Sequence, residues 1–159
     1  MASPAWLPDI ITLGDFGGEW DRFFPAVYEA FHRDFVRSRP MYAGERLALK
    51  RHPVILGKEA TFWHLTSEGK IEDERLVDIR RCERIAWPRQ IIDHSEDDAV
   101  KVWSDIRNGE TRTILWLEES DYAVVLAERN GFTLVWTAYV VKPNRAAQFR
   151  REYQAFGVA

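Results

Sequence analysis

At 159 residues, 46% apolar and 30% charged, the chain suits one globular domain with a real core, a composition that argues against disorder. A net charge of −3 argues against a bulk, non-specific nucleic-acid coat, and the single cysteine, Cys82, excludes an intrachain disulfide and a cysteine zinc site. The opening MASPAWLPDIITLGDFGG has no basic n-region and no long apolar run, so neither a signal peptide nor a membrane span is expected and a cytoplasmic location is.

The first element predicted is a helix over residues 19–36. Trp20, Phe23, Phe24, Val27, Phe31 and Phe35 recur at three- and four-residue spacing, and the run ends before Pro40. Short strands are expected at 46–50 and 61–66, around a loop with His52-Pro53 and Gly57. A second helix fits 73–85, with Leu76, Ile79, Cys82 and Ala86 on one side and Pro88 after its end. A loop through Ser95 then leads to a short strand at 99–103.

A meander follows over 111–118, 122–129 and 132–141. Asn130-Gly131 signals a type I′ hairpin, which pairs Arg129 with Phe132, Val124 with Thr137 and Tyr122 with Tyr139. The earlier turn is less constrained. If it spans three residues, Arg112, Trp116, Glu118, Tyr122, Thr137 and Tyr139 share one face; a loop one residue shorter or longer flips the strand at 111–118. A basic helix over 144–156, with Ala147, Phe149, Tyr153 and Phe156 as its contacts, closes the chain. The fold class is therefore α+β. N-terminal helices pack on an antiparallel meander of about four to six strands, with a C-terminal helix in one domain over 1–159.

Charge is unevenly spread. Basic residues gather at Arg33 to Arg51, at Arg75 to Arg89 and at Lys142 to Arg151, and acid at Glu96 to Asp98 and Glu118 to Asp121. A basic face on an acidic protein is compatible with an enzyme acting on nucleic acid; solvated helix faces are the alternative. There is no phosphate loop, no GxSxG elbow and no His pair at helical spacing, so no metal or cofactor is specified.

What remains is acid–base chemistry without a metal. His64, in FWHLTSEG, is the candidate base, held between aromatics on the strand expected at 61–66; a packed structural histidine is the alternative. Arg80, Arg81 and Arg112 could hold a phosphate, or form surface ion pairs. Thr137 and Tyr139 could orient a phosphate or pass a proton, or simply face solvent. Trp63, Trp116 and Trp136 are stacking candidates, Trp136 the weakest because parity puts it on the core face.

Thr137-Ala138-Tyr139 on the last strand resembles the closing strand of small metal-independent RNases of the barnase/EndoU/colicin/RelE-like group. The stretches RHPVILGKEATFWHLTSEG, DIRRCERIAWPRQII and GETRTILWLEESDYAVVLAERNGFTLVWTAY also resemble a set of uncharacterised bacterial proteins of similar length, some of them phage-associated. The nuclease resemblance implies RNA cleavage by 2′-hydroxyl attack to give a 2′,3′-cyclic phosphate, with no cofactor. It carries over His64, Thr137 and Tyr139, with Arg81, Arg112 or Arg80 as the cation. Trp63, Trp116 and Tyr122 would contact substrate, and a protein such as an antitoxin or immunity protein would be a partner. The alternative is a non-catalytic interaction module.

Overall fold

A computed structural model describes residues 3–69 and 76–157. Its elements, in order, are α1 (Trp20–Phe31), β1 (Met41–Tyr42), β2 (Glu45–Arg46), α2 (Ala60–Thr66), β3 (Ser67–Glu68), β4 (Leu76–Val77), α3 (Ile79–Glu83), α4 (Trp87–Asp93), β5 (Lys101–Arg107), β6 (Glu110–Leu117), β7 (Tyr122–Arg129), β8 (Phe132–Val140) and α5 (Pro143–Phe156). The fold is α+β: β5-β6-β7-β8 form a four-stranded antiparallel sheet, and β1-β2 and β3-β4 are small antiparallel pairs.

The sheet is apolar on both faces because each is covered. One face carries Leu115, Leu117, Tyr122, Val124, Leu126, Val135 and Ala138, which pack with Phe23, Phe31, Phe62 and Ile91 of the helices that precede the sheet. The other carries Ile114, Trp116, Ala123 and Val125, packed on Phe149 of α5. Such two-sided burial explains why the strand at 122–129 reads as an almost unbroken apolar run.

The amphipathic stripe of α1 forms as predicted, with Phe23, Val27 and Phe31 buried, and the chain continues through a π-helical turn over His32–Val36. Four expectations fail. The strand expected at 46–50 reduces to β2 and one isolated bridge at Ala48. Residues 61–66 form α2, not a strand, and all seven residues of this helix are buried. With no polar face, α2 has no 3.6-residue signature, and its apolar run cannot be told from a buried strand. The helix expected over 73–85 shrinks to α3; residues 73–75 lie outside the described residues, and Leu76 and Val77 pair with Glu68 and Ser67. Pro88 opens α4 rather than following a helix, since the first turn needs no N–H from it.

Cys82 is fully buried in α3. Burial first, then the nearby Asp78 and Glu83 carboxylates, push its thiol up to about 12. The native protein at pH 8 is expected to leave this thiol unmodified by a disulfide reagent, and full reaction to follow only in denaturant; rapid native labelling would contradict the burial.

Asn130 and Gly131 both have positive φ, 50° and 83°, as a type I′ hairpin requires, and Arg129 pairs with Phe132. Beyond that the register departs from simple counting. A bulge sets Leu126 opposite Val135 but Val125 opposite Thr137, so Trp136 is the extra residue. Tyr139 therefore faces Ala123, and Tyr122 faces Val140. The turn before β7 is also one residue longer than three, pairing Leu117 with Tyr122. The two shifts act in the same sense. Arg112, Trp116, Thr137 and Tyr139 do share a face, the one under α5, while Tyr122 points to the other and Glu118 leaves the strand.

Candidate functional site

The outer edge of β8 is closed by two upstream segments. Ala48 donates its N–H to the Thr133 carbonyl and accepts from the Val135 N–H. Next along the strand, α2 takes over. The Thr137 hydroxyl donates to the His64 carbonyl at 2.8 Å, and His64 Nδ1 lies 3.2 Å from the Trp136 carbonyl, with its ring edge-on to the Trp136 indole. The bulge frees Trp136 O for this contact.

These bonds decide the place of His64. It is 3% exposed, sits on a helix, and seals a strand edge rather than facing a cleft. The reading of His64 as a base presented by a strand is thereby corrected. Thr137 is likewise engaged in tethering α2. Trp63 and Trp116 are buried, Trp63 donating to the Ile55 carbonyl and Trp116 packing on Phe149, so neither offers a free stacking face. Tyr122 is fully buried with its ring against Trp87, which removes it from any substrate surface.

Arg112 lies elsewhere, at the half of the sheet face that α5 leaves uncovered. It pairs with Glu110 at 2.9 Å, and Glu110 also accepts from Arg129. Both guanidiniums lie over Trp136, at 5.3 Å and 4.3 Å from the ring centre. The Arg129 hydrogen bond, then the Arg112 bond, holds the Glu110 carboxyl below its ordinary 4.5 against the opposing effect of burial. Lys101, then Arg150, does the same at Glu118. A carboxyl lowered by folding gives stability that is present above the unfolded value and lost as pH falls through the folded one. The urea midpoint is therefore expected to drop as pH falls below about 4.5, and a Glu110→Gln, Glu118→Gln double variant should flatten that limb; an unchanged limb would count against these pairs.

Arg80, Arg81 and Tyr139 do converge. With Glu68, Asp78, Val140, Lys142 and Arg145 they line an open cavity of about 330 Å³ at the C-terminal end of β8. Arg81 is its back wall. The Asp78 side chain caps α3 at the Arg80 N–H, which orients the helix, and Arg81 then donates to the carbonyls of Ser67 at 2.7 Å and His64 at 3.3 Å. Its guanidinium lies 5.7 Å from the Tyr139 ring centre, 3.9 Å from Glu68 and 3.7 Å from Asp78. Yet Arg81 Nε is buried without a hydrogen-bond partner. Burial raises the Tyr139 hydroxyl above its usual 10.0, partly offset by Arg145, Arg107 and Arg81, so it stays a proton donor at neutral pH.

The cavity is cationic beyond the needs of the fold. Arg80, Lys142 and Arg145 are exposed, and none has an ion-pair partner among the described residues. Lys142 and Arg145 also flank the start of α5, which has no side-chain cap and no acidic residue in its first turn. Cations at a helix N-terminus oppose the macrodipole, and uncapped N–H groups there want an acceptor. A bound anion would answer both. Sequence reasoning singled out Arg80, Arg81 and Tyr139 but missed Glu68, Lys142 and Arg145. The missing cap at 142, just before Pro143, was the available signal.

Among the described residues no group of three or more His, Cys, Asp or Glu could hold a metal ion, and no helix is long and apolar enough to cross a membrane. Compared with protein-family models, with curated proteins and with solved structures, the chain matches none.

Proposed function

We propose that the protein binds RNA through a backbone phosphate seated in the Arg80–Arg81–Lys142–Arg145 cavity, and cleaves it there without a metal, in the cytoplasm. One observation carries the reading: four cations and an uncapped helix start converge on one concavity beside Tyr139.

The step uses residues the cavity already holds. The Glu68 carboxylate takes the proton of a 2′-hydroxyl, and the 2′-oxygen forms a bond to the adjacent phosphorus. Arg81 and Lys142 stabilise the charge gathering on the phosphoryl oxygens. The bond from phosphorus to the 5′-oxygen breaks, and that oxygen takes its proton from Tyr139. The products are a 2′,3′-cyclic phosphate and a 5′-hydroxyl end, and solvent returns Glu68 and Tyr139 to their starting forms. Glu68 replaces His64 as the base because His64 is itself buried in α2, against the edge of β8.

A second reading, a module that binds RNA and does not turn it over, is favoured by the same burial of His64. Labelled RNA in EDTA separates the two. Binding is expected to weaken by roughly tenfold or more in a Lys142→Ala, Arg145→Ala variant, and cleavage to fall about 10²-fold or more in Glu68→Gln with binding kept. Tight binding without turnover in the wild type selects the module. No binding, or binding indifferent to both cations, overturns the RNA reading.

A further inference from the structure

A second basic surface stands along β8 from the cavity and has no structural task. Arg39, Arg46 and Arg51 surround the segment that pairs with β8 through Ala48. Arg46 and Arg51 are exposed, and none of the three has an ion-pair partner among the described residues; Arg39 makes one long contact, to the Leu47 carbonyl. They are close enough to repel. Burial lowers the affinity of Arg39 for its proton, and the charges of Arg51 and Arg46 lower it further. Folding gathers three like charges here without neutralising them, a net cost unless a polyanion arrives.

The surface between this cluster and the cavity is also cationic. Trp136, partly exposed at the bulge, has Arg129, Arg112 and Lys50 over its ring, and Glu110 is bonded to the two arginines. Tyr139 at the cavity and Thr133 beside Ala48 lie opposite Ala123 and Glu128, five steps apart on β7 because of the bulge, roughly 17 Å at about 3.3 Å per residue. A stacked strand advances about 3.4 Å per nucleotide, so that track matches about five nucleotides.

We infer that the ligand is a single-stranded RNA several nucleotides long, laid along β8, with one phosphate in the cavity and phosphates about five nucleotides further along on Arg39, Arg46 and Arg51. The inference rests on the RNA reading of the cavity and adds ligand length and polarity of contact. A duplex is disfavoured because the track follows one strand, and unpaired bases alone can stack on the guanidiniums of Arg112 and Arg129 that cover the Trp136 ring.

The test compares a two-nucleotide RNA with a twelve-nucleotide RNA, using wild type and an Arg46→Ala, Arg51→Ala variant. Both substitutions are on exposed side chains, so folding should be unaffected, which circular dichroism checks. The wild type is expected to bind the longer RNA at least tenfold more tightly. In the variant that gain should shrink and the slope of log affinity against log salt should fall by about 1.4, at about 0.7 per lost phosphate contact, while the dinucleotide binds as before. Equal affinity for both lengths, or a variant with an unchanged salt slope, overturns the inference and leaves the cavity reading standing. Loss of the dinucleotide in the Lys142→Ala, Arg145→Ala variant supports the cavity; failure of both RNAs to bind the wild type removes the cavity reading and this inference together.

Discussion

Trp116→Ala is expected to destabilise the protein by about 3–5 kcal/mol and to leave RNA affinity, measured under conditions where the variant is folded, unchanged. The indole is fully buried on the sheet face beneath α5, edge-on to Phe149 and to Trp103. Its removal opens a cavity between two rigid layers, and neither the sheet nor α5 can collapse to fill it. The indole N–H has no hydrogen-bond partner, so no hydrogen bond is lost with it; Lys101 and Arg150, which lie over the ring, lose a cation–π contact. Trp116→Phe should recover most of the loss. Denaturant unfolding gives the stability, and fluorescence anisotropy the affinity. A variant of near-native stability that had lost RNA binding would restore Trp116 as a stacking residue and contradict its burial.

His64→Ala carries the second large effect, about 2–4 kcal/mol. Truncation leaves a hole beside Trp136 and removes the Nδ1 partner of the Trp136 carbonyl. The Thr137 bond to the His64 carbonyl survives, because it is made to the backbone, so α2 should loosen rather than detach. Two outcomes are cleanly distinguished. Stability falls in either case because His64 is buried; a structural His64 predicts cleavage retained per folded molecule, and a catalytic His64 predicts cleavage abolished. Temperature-dependent cleavage assays, normalised to the folded fraction, read the difference. The second result would return the base to His64 and remove Glu68 from that role.

The elements that were legible in the sequence are those with one wet face or a turn of fixed chemistry. Helix α1 shows its stripe because its other side meets water, and Asn130-Gly131 names its hairpin because both residues must take positive φ. Helix α2 is buried all round and therefore carries no pattern. The bulge at Trp136 is invisible for a different reason: it is fixed by Ala48 and His64 closing the strand edge, partners far away in sequence. At the site, charge clusters could be seen in the sequence but not apportioned. Arg112 went to a pair with Glu110 while Arg81 became a wall of the cavity, and only packing decides between such fates. Glu68 and Lys142 had no motif at all, since each matters only through where the chain turns.

The closure of β8 also has a consequence in time. The Thr137 hydroxyl and the His64 carbonyl are 73 residues apart. At about 5–20 residues per second of synthesis, α2 waits roughly 4–15 s on the ribosome before the strand that covers it exists. During that interval its seven side chains, which include Phe62, Trp63 and Leu65, can shelter against α1 and the short α3 but not against the sheet. The early aromatic contacts of Phe24, Tyr28 and Phe31 with Phe62 then act as a holding arrangement for a nascent chain. Weakening them should lower the yield of soluble protein in the cell more than it lowers the stability of protein already folded.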